Sequence, residues 1–172
     1  MLVNDDRARE GKPARKAQAC QILATLCEVA EVDASEYRVD WVTQLVSLFN
    51  DPSDEVVLGA WTGLDALVKS IPKDELEDLV VPLRKGIENL SAPGEEVAGF
   101  SRSKGAQPIV PILLAGLLSG TEQQKEQAAF GIGELVQRTS EAAIKPYIIQ
   151  LTGPLIRVIS SGTLAAQIKG AM

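Results

Sequence analysis

The feature that most restricts the fold of this 172-residue chain is a recurring apolar pattern. Three segments superpose without gaps: Ala19, Cys20, Leu23, Leu26, Cys27; Ala60, Trp61, Leu64, Leu67, Val68; and Ala128, Ala129, Ile132, Leu135, Val136. The second copy lies 41 residues after the first, and the third a further 68 along. Each copy places apolar groups at i, i+1, i+4, i+7 and i+8, which is one face of a helix, with a small residue at its head where a neighbour can come close. A fourth copy starts at Gly170-Ala171, 42 residues after Ala128-Ala129. A different kind of helix precedes these, with Val39, Val42, Leu45, Val46 and Phe49 on one face and the turn Asn50-Asp51-Pro52-Ser53-Asp54 behind it. Residues 109–118 with Ser119-Gly120-Thr121, and residues 146–159 with Ser160-Ser161-Gly162, repeat that arrangement. The unit is helix, tight turn, helix. One such unit cannot bury its apolar faces alone, but a stack of them can. The expected fold is therefore all-α: a single solenoid of stacked antiparallel helix pairs over residues 1–172, with partial repeats at both ends. Trp41 and Trp61 lie on apolar faces and are expected in the core.

The 68-residue step interrupts the period. Residues 73–90 read as the first helix of a unit, of the kind that precedes each Ala-headed copy, with Leu76, Leu79, Val80, Leu83, Ile87 and Leu90 on one side and a kink at Pro82. Its partner helix is missing. Residues 91–105 are rich in Gly, Pro and Ser and lack helical periodicity, so they are expected to form an exposed, irregular loop of lower local stability. Either a degenerate short helix lies inside this stretch or the solenoid carries an irregular joint. A partly basic loop on a regular scaffold is also a place where function can sit.

Composition narrows the chemistry. The chain has no histidine, which removes the commonest general base, the Ser-His and Cys-His nucleophile pairs and the commonest metal ligand. No metal site, cofactor or catalytic pair can be singled out, and the chain reads as non-enzymatic. Gly131-Ile132-Gly133 lies within a helix and lacks the third glycine and preceding strand of a nucleotide-binding turn. Cys20 and Cys27 sit on one helix about 10.5 Å apart along its axis, too far for a disulfide. No apolar run is long enough to span a bilayer, and Asn4-Asp5-Asp6 breaks any leader-like segment. A cytoplasmic location is expected. Residues 1–100 carry 10 basic and 19 acidic groups, residues 101–172 carry 7 and 4. Direct nucleic-acid binding would need a stronger basic surface than that. The acidic series Glu28, Glu31, Asp33, Glu36 and Asp40 reads as a solubilising surface.

Two levels of resemblance follow from particular residues. The stretch from Leu45 through Asn50-Asp51-Pro52-Ser53-Asp54 to Val56 resembles a HEAT repeat, with the usual Asp-Pro turn between its helices. The last seventy residues are more specific. Gly99-Phe100, Lys104-Gly105, Ile109-Val110-Pro111-Ile112-Leu113, Gln124-Lys125-Glu126-Gln127-Ala128-Ala129 and Ile144-Lys145-Pro146-Tyr147 resemble the general control non-derepressible translational activator family. The hexapeptide Thr152-Gly153-Pro154-Leu155-Ile156-Arg157 sharpens that match. The resemblance runs from about Asp40 to the end and is only repeat-like before it. It implies a piece of a very long HEAT solenoid that binds translating ribosomes. It further implies that this sequence corresponds to the C-terminal part, which binds the RWD domain of the kinase acting on the alpha subunit of initiation factor 2 and relays amino-acid starvation.

Under that resemblance, partner-contacting residues are sought among the basic groups of the last two repeats, since their net charge would steer an acidic partner there. Arg157 is the first candidate, because the apolar set around it leaves it alone at a polar angle. Lys125, between Glu122 and Glu126, is either a contact or a solvated helix residue. Lys145 and Arg138 flank the turn into the last first-type helix, where solvent exposure is the plainer reading and contact the functional one. Two rival readings stay open: a ribosome- or RNA-contacting segment of the same scaffold, or a generic HEAT adaptor.

Overall fold

The computed structural model describes residues 4–29 and 35–161, with side chains from Lys12 onward. The chain runs through α1 (Asn4–Val29), α2 (Arg38–Ser47), α3 (Asp54–Ser70), α4 (Val80–Glu88), α5 (Ala98–Ser101), α6 (Val110–Ser119), α7 (Glu122–Gln137), α8 (Glu141–Ile144) and α9 (Ile148–Ser160). No strand occurs among the described residues. The fourth copy expected at Gly170-Ala171, and the acidic residues Glu31 and Asp33, lie outside them.

Local signals make the helix pairs. After α2 the backbone tightens into a 3-10 turn, Leu48–Asn50, and Asp51 then swings to an extended conformation, as the residue before a proline is forced to do. The Asp51 carboxylate accepts the Ser53 N–H at 3.0 Å, and α3 opens with Asp54 and Glu55 in its first turn and closes with Lys69 in its last, matching the helix dipole. Between α6 and α7 the turn is capped reciprocally. The Thr121 hydroxyl accepts the Gln124 N–H at 3.2 Å, while the Gln124 side-chain oxygen accepts the Thr121 N–H at 2.8 Å. Connections this short force α2/α3 and α6/α7 to run antiparallel. The pairs share one apolar core that extends from Cys20 to Val158. This is the all-α HEAT-type solenoid expected from the period.

Several details depart from the expectation. Of the first copy of the repeat, Cys20 is buried and Leu23 and Cys27 pack half-buried against the core, but Ala19 and Leu26 are exposed and α1 buries Ala17 and Ala24 in their place. The reason is a close helix contact. A Cβ placed on Gly59 of α3 would lie 3.3 Å from the Ala17 Cα, and one on Gly63 would lie 3.3 Å from the Cys20 carbonyl oxygen, so α1 brings its small residues closest to α3, with Leu23 half-buried beside them. Residues 73–90 are not one kinked helix. Residues 73–79 form a 3-10 segment, Lys73–Leu79, and the α-helix starts only at Val80. Pro82 has no N–H to give the carbonyl four residues back and its ring crowds that carbonyl, so it stands in the first turn of α4, where both defects are tolerated. Trp41 and Trp61 are half-buried at the rim of the core; Trp41 stacks on Tyr37 with ring centroids 6.0 Å apart.

The interrupted repeat is resolved by a degenerate second helix, the single turn α5. The stretch 91–105 is not uniformly exposed: residues 92–96 are, but Val97, Gly99, Phe100 and Gly105 are buried. Phe100 packs tilted against Phe49 at 5.4 Å between centroids, and the Val97 N–H reaches the Arg138 carbonyl at 2.8 Å. Enclosing Phe100 contributes on the order of 2 kcal/mol, enough to hold a one-turn helix that could not stand alone. With so little of a second helix there, α7 lies directly on α4. Arg84 of α4 stacks over the Phe130 ring at 5.2 Å and donates to the Gln127 side chain at 2.9 Å.

Candidate partner-binding surface

The four basic residues singled out from the sequence do not form one cluster. Arg138 is a correction. It is 1 % exposed, and neither solvent nor a partner reaches it. Its guanidinium donates to the Ser91 carbonyl through Nε (3.1 Å) and Nη2 (2.9 Å), to the Glu88 carbonyl (3.3 Å), to the Glu134 carbonyl (3.2 Å) and to the Glu134 carboxylate. It serves as a C-terminal cap for α4 supplied by another helix, tying the end of α4 and the start of the irregular stretch to α7.

Lys125, in the first turn of α7, is half-buried and pairs with Glu122 at 3.1 Å, so its charge is largely answered within its own helix. Lys145 is exposed in the 3-10 turn Lys145–Tyr147 that leads into α9. Arg157 is exposed near the other end of α9, about 18 Å away at 1.5 Å per residue. Among the described residues neither Lys145 nor Arg157 has a carboxylate partner.

The helix α9 explains where Arg157 points. Leu151 and Val158 are its buried residues, and they lie on the side that meets α6 and α7. Arg157 lies about 100–120° round the helix from them, one turn beyond Gly153. A Cβ on Gly153 would touch nothing within 4 Å, so the surface around the guanidinium is open. Ile149 (88 % exposed) and Ile156 (57 % exposed) share the neighbouring strip of α9, about 80–100° round the helix from it, with Ile149 two turns earlier. The sequence places Ile156 with Leu155, Val158 and Ile159 in the apolar set around Arg157 and gives Ile149 no role. A signal was present: Ile148, Ile149, Leu151, Leu155, Ile156, Val158 and Ile159 span half of the helix circumference, wider than the stripe of about 100° that a core-facing helix needs. The outcome is an exposed surface with one cation beside a strip of two β-branched apolar groups.

Other groups mark structure. Lys16 donates to the Asp51 carboxylate at 2.8 Å, and that hydrogen bond holds the Asp51 carboxyl below the usual carboxylate range. Burial pushes the Cys20 and Cys27 thiols and the Tyr147 phenol up. A raised thiol pKa means little thiolate, hence low reactivity.

Comparison with known proteins places this architecture. The family model described as "Stalled ribosome sensor GCN1-like, HEAT repeats" matches residues 3–104, so the family signature begins well before Asp40, where the sequence suggested only a generic repeat. The stalled ribosome sensor GCN1 of Mus musculus is 34 % identical over 164 residues, covering 92 % of this chain and 6 % of that protein. The eIF-2-alpha kinase activators GCN1 of Dictyostelium discoideum and Saccharomyces cerevisiae are 38 % identical over 145 residues and 32 % identical over 141; each alignment covers 82 % of this chain and 5 % of the relative. The chain thus spans only 5–6 % of the length of these relatives. No solved structure matches. Helix pairs at HEAT spacing, and a family match over more than half of its length, lead to one conclusion: this chain belongs to the GCN1-like family of HEAT-repeat proteins.

Proposed function

We propose that this segment of a GCN1-like scaffold binds the RWD domain of the initiation factor 2 alpha kinase in the cytoplasm, and that α9 makes the contact. The role is that of a non-catalytic scaffold supporting kinase activation in amino-acid starvation. Two of the relatives are named eIF-2-alpha kinase activators, which supports the partner class. The observation that carries the reading is the free side of α9, where Arg157 stands exposed beside the apolar strip of Ile149 and Ile156 with no carboxylate partner among the described residues. A guanidinium can take a carboxylate in two parallel hydrogen bonds, which a lysine cannot. Apolar groups beside it exclude water from such a contact and raise its contribution. Lys145 adds long-range attraction; Lys125, held by Glu122, adds little.

The mouse and human relatives are named stalled ribosome sensors, which favours a ribosome-contacting reading. Against that, the chain carries a net charge of −6, and α9 holds a single cation, too little for a phosphate backbone. Titration calorimetry of the 172-residue chain against an isolated RWD domain tests the proposal. Arg157→Ala is expected to weaken binding by on the order of 2 kcal/mol, and Ile156→Asp to weaken it as well. Lys125→Ala stays within about threefold of the parent, as an already paired lysine should. If Arg157→Ala and Ile156→Asp both bind like the parent, α9 is not the site. Binding to ribosomal RNA in place of the RWD domain moves the assignment to the ribosome.

A further inference from the structure

The one-turn α5 leaves a notch beside α3, of about 340 Å³, with Leu58 and Trp61 on one wall and Arg102, Ser103 and Lys104 on the other. The second wall is a fixed turn. The Lys104 carbonyl accepts the Trp61 indole N–H at 3.1 Å, and Arg102 is paired with Asp54 of α3. A Cβ on Gly105 would collide with the carbonyls of Gly99 and Phe100, so the chain passes there without a side chain. Lys104 takes φ +60, among the described residues the only non-glycine in the left-handed region. Backbone of this kind persists where its surroundings over-determine it, and it concentrates at recognition sites. Leu58 is 48 % exposed at the notch, and the Lys104 ammonium has no carboxylate partner among the described residues.

We propose that this notch docks an extended segment of a partner protein that carries a bulky apolar side chain beside an acidic one. The apolar group lies on Leu58 and the open part of Trp61, and the carboxylate meets Lys104. The charge complement is local and single. Arg102 is already answered by Asp54, and Glu55 lies one turn from Leu58, so a phosphate chain would find one free cation beside a repelling carboxylate. The volume suits one or two side chains held on a rigid frame, the arrangement that lets a short segment bind without first ordering its receptor.

The test uses the chain with Trp41→Phe, which leaves Trp61 as its one indole. The probes are a capped Ser-Phe-Asp-Ser tetrapeptide, its Ser-Phe-Lys-Ser counterpart and an oligouridylate. The aspartate peptide should perturb Trp61 fluorescence saturably and bind about threefold more tightly than the lysine peptide, as one partly exposed ion pair allows. Lys104→Glu should reverse that order and Leu58→Ser should abolish the signal; both side chains are exposed, and circular dichroism checks that the variants are folded. Arg157→Ala should change nothing here, which separates this site from the one on α9. Absence of a saturable response to the aspartate peptide overturns the proposal. So does an unchanged preference in Lys104→Glu, or tighter binding of the oligouridylate.

Discussion

Replacing Arg138 by alanine removes the donor for three backbone carbonyls and one carboxylate at once. The Ser91 carbonyl loses both of its guanidinium hydrogen bonds and the Glu88 carbonyl loses one, and both belong to the last turn of α4 and the loop behind it, where no further helix can supply N–H groups. A buried acceptor left without a donor costs about 1–3 kcal/mol. The Glu134 carboxylate is 22 % exposed and can turn to water, so its loss is the smaller part. The expected destabilisation is about 3–5 kcal/mol, the range for breaking a buried charged pair, which is a large share of the 5–15 kcal/mol typical of a folded domain. Urea denaturation followed by circular dichroism measures it. Arg138→Met keeps most of the volume and none of the donors, so it should recover no more than about 1 kcal/mol relative to alanine. Hydrogen exchange should rise first at Val97 and Phe100, whose N–H groups bond near the clamp, while α3 keeps its protection. An alanine variant within about 1 kcal/mol of the parent, or a methionine variant of full stability, would refute the reading of Arg138 as a polar clamp.

Limited proteolysis should cut between residues 92 and 96, which are exposed, and not between 97 and 106, where Val97, Phe100 and Ala106 are enclosed; mass spectrometry of the first fragments decides. Gly99→Ala would bring a Cβ to 2.6 Å from the Phe49 ring and should destabilise by about 1–3 kcal/mol in urea titrations. Gly133→Ala, which meets nothing within 4 Å inside α7, should stabilise by about 0.5–1 kcal/mol. The Asp51 carboxyl is held below its ordinary range by Lys16, so its contribution is present above the unfolded carboxylate pKa and is lost as pH falls through the depressed folded value. Lys16→Ala should therefore flatten the acid limb of a stability-versus-pH curve, and an unchanged limb would show that the pair does not couple to folding.

The order of helices was legible because burial on one side of a helix imposes a period that the sequence must carry. Val42, Leu45, Val46 and Phe49, and likewise Ala60, Leu64 and Leu67, could be read directly, and all are enclosed. Where the reading failed, a contact between distant segments had overridden the local pattern. In α1 the stripe read from the sequence holds at Cys20, Leu23 and Cys27 but not at Ala19 and Leu26, because Gly59 and Gly63 draw Ala17 and Cys20 inward by close backbone approach, a preference invisible without knowing which helix lies opposite. Arg138 looked like a surface charge beside a turn. Its burial depends on carbonyls from residues 88 and 91, nearly fifty positions earlier, that need donors. Of the candidate site, Arg157 was legible from its isolation in an apolar set. Ile149 and Ile156 were not, because an apolar residue on an amphipathic helix reads as core until the covering neighbours have been counted.

The short third repeat shows how a solenoid tolerates a missing helix. A full second helix would have stood between α3 and α7, and its absence would leave the end of α4 and the Phe49 side of the second repeat open to water. Two substitutions of surface for surface close most of that gap. Phe100 covers Phe49 from a single turn, and α7 settles onto α4, where Arg84 passes close to Gly131 and spreads over Phe130. What cannot be covered this way is the polar backbone at the end of α4, since apolar side chains give carbonyls no donors. That requirement explains why an arginine, with five donors in one planar group, occupies position 138. The segment between α4 and α5 is then fixed at both ends, by Arg138 at residue 91 and by the Val97 N–H on the Arg138 carbonyl, and only the short exposed stretch between them keeps the freedom the sequence suggested for the whole.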